Sequence, residues 1–105
     1  MSDSILEVTS EINEGICRFF AKGRIDSNSA SILLEALEKA LDEGQKAIVL
    51  NMSDVEYISS IGIRVILKIF KQMAETEGKF NIEKPSSIVK NILGMLALKD
   101  ILLTD

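Results

Sequence analysis

The chain has 105 residues, which is enough for one domain and too few for two. It holds one cysteine and no histidine, which excludes an internal disulfide, a Ser-His-Asp triad, histidine phosphotransfer and the usual His/Cys zinc sets. A net charge of -4 argues against binding a nucleic-acid backbone, which needs clustered Lys and Arg, and against docking on an anionic membrane.

Hydrophobic residues make up 47% and aromatics only 5%, so the core must be aliphatic. Residues 5–12 alternate loosely, with Leu6, Val8 and Ile12 against Glu7, Thr9 and Glu11, which predicts a half-buried strand. Asn13-Glu14-Gly15 supplies a turn. Residues 16–25 place Cys17, Phe19, Ala21 and Ile25 on one face and Arg18, Lys22 and Arg24 on the other, completing an antiparallel hairpin with one wet face. Asp26-Ser27-Asn28-Ser29 is rich in helix-capping types. Ala30, Leu33, Leu34, Leu37, Ala40 and Leu41 then recur at helical spacing, and Gly44 closes the helix. Glu35 and Glu38 read as part of its solvated side rather than as an acid/base pair.

Lys46–Met52, with its apolar run Ala47-Ile48-Val49-Leu50, suits a strand buried on both faces. A second helix begins near Ser59 or Ser60, carries the stripe Val65, Ile66, Ile69, Phe70 and Met73, and stops at Gly78. Phe80 and Ile82 mark a short strand. Pro85-Ser86-Ser87 opens a third helix with Ile88, Val89, Ile92, Leu93 and Leu96. Ile101-Leu102-Leu103 reads as a last strand. The expected fold is a single α/β domain over residues 1–105. Its sheet is mixed but mainly parallel, with four to five strands, an N-terminal hairpin and about three helices.

The segment from Asn51 to Arg64 is expected to join the carboxyl end of a buried strand to a helix, where α/β sheets place their sites. A helix start there offers unpaired N–H groups and partial positive charge, so an anion on Ser60 would be stabilised. Local pattern leaves a plainer alternative open. Ser59 or Ser60 can be an N-cap and nothing more, and Gly62 can serve only close packing.

Val55-Glu56-Tyr57-Ile58-Ser59-Ser60-Ile61-Gly62-Ile63-Arg64-Val65-Ile66-Leu67 resembles the signature of STAS domains of the anti-sigma-factor antagonist type. Ala21-Lys22-Gly23-Arg24-Ile25-Asp26 resembles the family's turn after its second strand, and Lys84-Pro85-Ser86-Ser87-Ile88-Val89 its late Pro-Ser helix opening. The resemblance implies a binding switch and not an enzyme, with no cofactor and no metal. Unphosphorylated members bind an anti-sigma factor that is often also a serine kinase and so release a sigma factor; a serine phosphatase reverses the kinase. By that resemblance Ser60, two residues before Gly62, is the phosphoacceptor. Asp26, Ser59, Ile61, Gly62 and Arg64 are the partner-binding positions. The chain departs from the family at Ser59, where Asp is frequent, at Ile61, where Ser or Thr is, and at Asn51, where Asp is. An alternative is a STAS scaffold or transport-system subunit that is never phosphorylated.

Several smaller expectations complete the reading. Arg64, four residues after Ser60, can reach a phosphate there. Cys17 reads as a small buried hydrophobe, and Met52, Met73 and Met95 as core filler. Ile61 and Ile63 fall off the main core stripe, leaving one of them for a partner. Met1-Ser2-Asp3-Ser4 has no signal-peptide character, and no apolar run approaches ~20 residues. With a single cysteine, the expected setting is the reducing cytoplasm, and the expected state is a monomer.

Overall fold

Strand β1 (Leu6–Asn13) turns back into β2 (Ile16–Ile25) through Glu14 and Gly15, both at positive φ, with Asn13 paired to Ile16. This computed structural model describes residues 5–98. The positive φ values suit a two-residue hairpin turn whose twist matches the strands. The remaining elements are α1 (Ala30–Asp42), β3 (Ala47–Ile58), α2 (Ser60–Glu75), β4 (Lys79–Glu83) and α3 (Ser87–Met95). The four strands form one sheet in the order β1-β2-β3-β4. The hairpin is antiparallel, whereas β2–β3 and β3–β4 are parallel and are joined through α1 and α2. The expected α/β fold, with its N-terminal hairpin and three helices, is observed. The strand expected at Ile101–Leu103 lies outside the described residues.

The alternating residues of β2 fall as the pattern requires: Cys17, Phe19, Ala21 and Ile25 are buried. They meet Ile48, Leu50 and Met52 of β3, Leu33 and Leu37 of α1, and Ile66, Ile69 and Met73 of α2 in one largely aliphatic core. Each fully buried Leu or Ile there contributes about 1.5–3 kcal/mol. Burial first, and then the nearby Glu43, push the Cys17 thiol above its ordinary value, which keeps it an uncharged core residue. Val89 and Leu93 of α3 join the same core, but Met95 is 83% exposed and Leu96 is 51% exposed. The core assignment of Met95 is therefore corrected: it is the last residue of α3 and points away from the buried pair Val89 and Leu93. Among the described residues no helix is long and apolar enough to cross a membrane.

One boundary differs from expectation in a way that matters for the site. Strand β3, expected to end at Met52, continues to Ile58, so Ser53–Ile58 is extended chain and not a loop. From Phe20↔Asn51 to Lys22↔Asp54, β3 advances three residues while β2 advances two, and a second shift lies between Gly23↔Val55 and Arg24↔Tyr57. These bulges keep Val55 and Ile58 buried and turn Ser53, Asp54 and Glu56 outward, which interrupts the apolar run that marks a buried strand.

On the other face of the sheet a polar network ties β2, β3 and β4. Arg18 Nε and Asn51 Nδ2 both donate to Glu83 Oε2 at 2.9 Å, while Asn51 Oδ1 accepts from Ser53 N at 3.1 Å and Ser53 Oγ at 2.9 Å. Asn51 is only 8% exposed. An aspartate there would set a second carboxylate against Glu83, so the amide is the matching partner. Desolvation raises the Glu83 carboxyl, but the bonds from Asn51 and Arg18 and the charges of Arg18 and Lys84 outweigh it and hold it below the ordinary carboxylate value. A depressed carboxyl stabilises the fold above the ordinary carboxylate range and loses that contribution as pH falls through its lowered value. Glu83→Gln should therefore melt lower than the parent at pH 7, and the gap should close as pH falls through the carboxyl's lowered value. A gap that stays constant with pH would show that the carboxylate's charge is immaterial.

Candidate functional site

Strands β2 and β3 end side by side, with Ile25 paired to Ile58. Ser59 N donates to Ile25 O at 2.8 Å, which ties the start of α2 to the end of β2. The parallel topology thereby places the Asp26–Ser29 turn next to the Ser59–Gly62 helix start, at the carboxyl ends of the two strands. The two serines have different duties. Ser59 is the N-cap: its backbone is extended (φ -89°, ψ 173°) and its Oγ accepts from Gly62 N at 3.3 Å. Ser60 is the first residue of α2, is exposed, and its hydroxyl has no hydrogen-bond partner among the described residues. The N-cap expected at Ser59 or Ser60 is thus Ser59, which leaves the Ser60 hydroxyl unengaged.

Of the two isoleucines flanking Gly62, Ile61 is 41% exposed and Ile63 is buried at 6%. Gly62 is buried, and an added Cβ would lie 2.7 Å from Ile25 Cγ2 and 2.8 Å from Ile58 Cγ1. The glycine therefore sets how closely α2 seats on the strand ends. Arg64 is exposed and makes no ion pair among the described residues.

Asp26 is anchored. Its Oδ1 accepts from Asn28 N at 2.9 Å and Ser29 N at 3.0 Å, and its N–H donates to Ser29 Oγ at 2.9 Å. The Ser29 hydroxyl lies 3.1 Å from that carboxylate oxygen and 2.6 Å from Arg24 O, which accepts its proton. Ser29 makes no side-chain cap to α1, so the Asp26 turn serves the helix start instead. Desolvation raises the Asp26 carboxyl, but the Ser29 and Asn28 N–H bonds, the Ser29 hydroxyl and the Arg24 charge together hold it below its ordinary value. It is therefore a carboxylate at neutral pH and sets a fixed negative charge beside the Ser60 helix start. The Arg24 guanidinium stacks 4.5 Å from the centre of the Tyr57 ring. This pair braces the same strand ends, and it becomes legible only once the register Arg24↔Tyr57 is known. Among the described residues no group of three His, Cys, Asp or Glu side chains is placed to hold a metal.

This arrangement, an exposed hydroxyl at a helix start beside an anchored carboxylate turn, occurs in a chain with named relatives. The matched stretch is 30% identical over 74 residues to BtrV of Bordetella bronchiseptica, provisionally named an anti-sigma factor antagonist; it spans 70% of this chain and 64% of BtrV. The anti-sigma-B factor antagonist of Bacillus subtilis is 28% identical over 97 residues, which span 92% of this chain and 88% of that protein. The solved structure of an anti-sigma factor antagonist from Mycobacterium paratuberculosis shares the fold, with a TM-score of 0.86 at 18% identity over 100% of this chain and 92% of the other. The STAS domain profile matches residues 7–105, and the chain belongs to the STAS domain family.

Proposed function

We propose that the chain is a phosphorylation-controlled binding switch. Unphosphorylated, it binds an anti-sigma factor that is also a serine kinase, and so frees a sigma factor. The kinase writes phosphate on Ser60 and a serine phosphatase removes it. The observation that carries this reading is the difference between the two serines: Ser60 presents an unbonded, exposed hydroxyl, while Ser59 is half-buried and occupied as a cap. A kinase must extract a hydroxyl into its own site, and only Ser60 can be extracted without uncapping α2. The surface a partner meets is formed by Ser60, Ile61 and Arg64, with Asp26 and Ser59 at its margin and Gly62 beneath it. The reading places the protein in the cytoplasm with its kinase.

The test is incubation with a purified anti-sigma kinase and ATP, followed by intact mass and peptide mapping. Ser60→Ala should abolish labelling, and Ser59→Ala should be labelled while melting slightly lower, by about 1 kcal/mol of lost capping. Labelling that persists in Ser60→Ala and vanishes in Ser59→Ala would assign the switch to the other serine. Binding without labelling of either would make the chain a constitutive interaction module.

A further inference from the structure

The geometry points to the outer face of α2 as a docking stripe for an acidic, partly apolar surface of the partner, continuous with Ser60. This inference rests on the switch reading above and adds the chemistry of the partner. At about 100° per residue, Ser60, Arg64 and Lys71 fall within about 40° of one another and line up down the helix. Lys68 and Ile61 flank that line on one side and Leu67 on the other. All six are exposed, while the opposite face buries Gly62, Ile63, Val65, Ile66, Ile69 and Met73. From Ser60 to Lys71 the stripe is about 16 Å long.

Its charge contrasts with the rest of the molecule. The chain carries -4 overall, yet α2 carries Arg64, Lys68 and Lys71 against the single carboxylate Glu75. Among the described residues Arg64 and Lys71 make no ion pair, and Lys68 makes one, an exposed contact with Glu38 of α1 at 3.3 Å. An exposed pair of that kind stabilises little and can be exchanged for a partner's carboxylate. Ile61 and Leu67 are 41% and 37% exposed, which adds apolar area on both flanks. Complementarity to such a stripe requires carboxylates at its centre with aliphatic groups beside them. The stripe also gives phosphorylation a second effect. A phosphate on Ser60 brings about -1.5 to -2 charges to the same line, one turn from Arg64, and cancels much of the attraction before contact.

The experiment measures association rates of the full chain with purified anti-sigma kinases of the source organism, each titrated separately at several salt concentrations. Arg64→Glu and Lys71→Glu should each slow association by about tenfold and flatten its salt dependence. Lys90→Glu, the same charge change on α3, should alter the rate by less than about twofold. Thermal melts of all three verify folding. If a kinase binds but both α2 variants associate at the parental rate and salt slope, the stripe is not the docking surface and the switch reading survives. If Lys90→Glu slows association equally, net charge and not the stripe is responsible, and the inference fails. If no kinase binds the parent, the switch reading falls and takes this inference with it.

Discussion

Gly62→Ala should destabilise the domain although it places a better helix former in α2. The gain is bounded: alanine exceeds glycine by roughly 1 kcal/mol in a helix interior and by less in the first turn, where Gly62 sits. The cost is steric. The new methyl would lie 2.7 Å from Ile25 Cγ2 and 2.8 Å from Ile58 Cγ1, with Ile58 Cδ1 at 3.3 Å. Both isoleucines are buried, at 0% and 3% exposure, and their β-branched side chains resist rotation. Relief must come from lifting α2, which stretches the 2.8 Å bond from Ser59 N to Ile25 O. Overpacking of this kind costs about 1–3 kcal/mol, so the net loss should be about 1–2 kcal/mol, or roughly 5–15 °C in melting temperature for a domain of this size. Because the lifted helix start carries Ser60, partner binding should weaken in the same variant under conditions where it remains folded. Thermal melts and titration check both. An unchanged melting temperature would mean that Ile25 and Ile58 yield, and that Gly62 is not the residue that seats α2.

The elements legible in the sequence are those whose side-chain period coincides with their burial. The alternation in β2 and the helical stripes in α1 and α2 each sort cleanly into a core face and a wet face. The carboxyl half of β3 is illegible for a local reason: two bulges break the strand period, and Ser53, Asp54 and Glu56 imitate a loop. The end of α2 shows a similar substitution of roles. The sequence points to Gly78 as its stop, but Glu77 takes the positive φ of 60° while Gly78 fits where a Cβ would meet Met73 Cε at 2.8 Å.

The candidate site divides in the same way. Resemblance singles out Ser60 and Asp26, but capping chemistry alone does not separate Ser59 from Ser60, since both are serines and either can cap. What separates them is the strand-end tie between Ser59 N and Ile25 O, which makes Ser59 the cap and Ser60 the first helical residue. The Arg18–Glu83 contact, spanning 65 residues, has no local signature at all. It exists because the parallel register pairs Asn51 with Glu83 and leaves Arg18, which is paired with Val49, within side-chain reach on the same sheet face.

Phosphorylating Ser60 should lower affinity for the anti-sigma kinase about a thousandfold while leaving the fold intact. In the free domain the added charge of about -1.5 to -2 sits at the positive end of α2. Ser59 Oγ occupies only the Gly62 N–H of the first turn, so the phosphate has other first-turn donors to face, and Arg64 lies one turn on. Such interactions are worth roughly 0.3–1 kcal/mol each at an exposed helix end. The melting temperature should therefore hold or rise slightly. In the complex the balance reverses. A surface packed on Ser60 and Ile61 must strip water from the phosphate, and a buried charge without a partner costs several kcal/mol. The Asp26 carboxylate, fixed by the Asn28 and Ser29 N–H groups, cannot protonate at neutral pH to relieve the repulsion. A loss of about 4 kcal/mol corresponds to about a thousandfold in affinity, enough to separate bound from free at cellular concentrations. Calorimetric titration of the phosphorylated and unmodified proteins with the same kinase, paired with thermal melts, decides the matter. Equal affinities overturn the switch, and a steep fall in melting temperature would show that the phosphate works by unfolding the domain and not by blocking its surface.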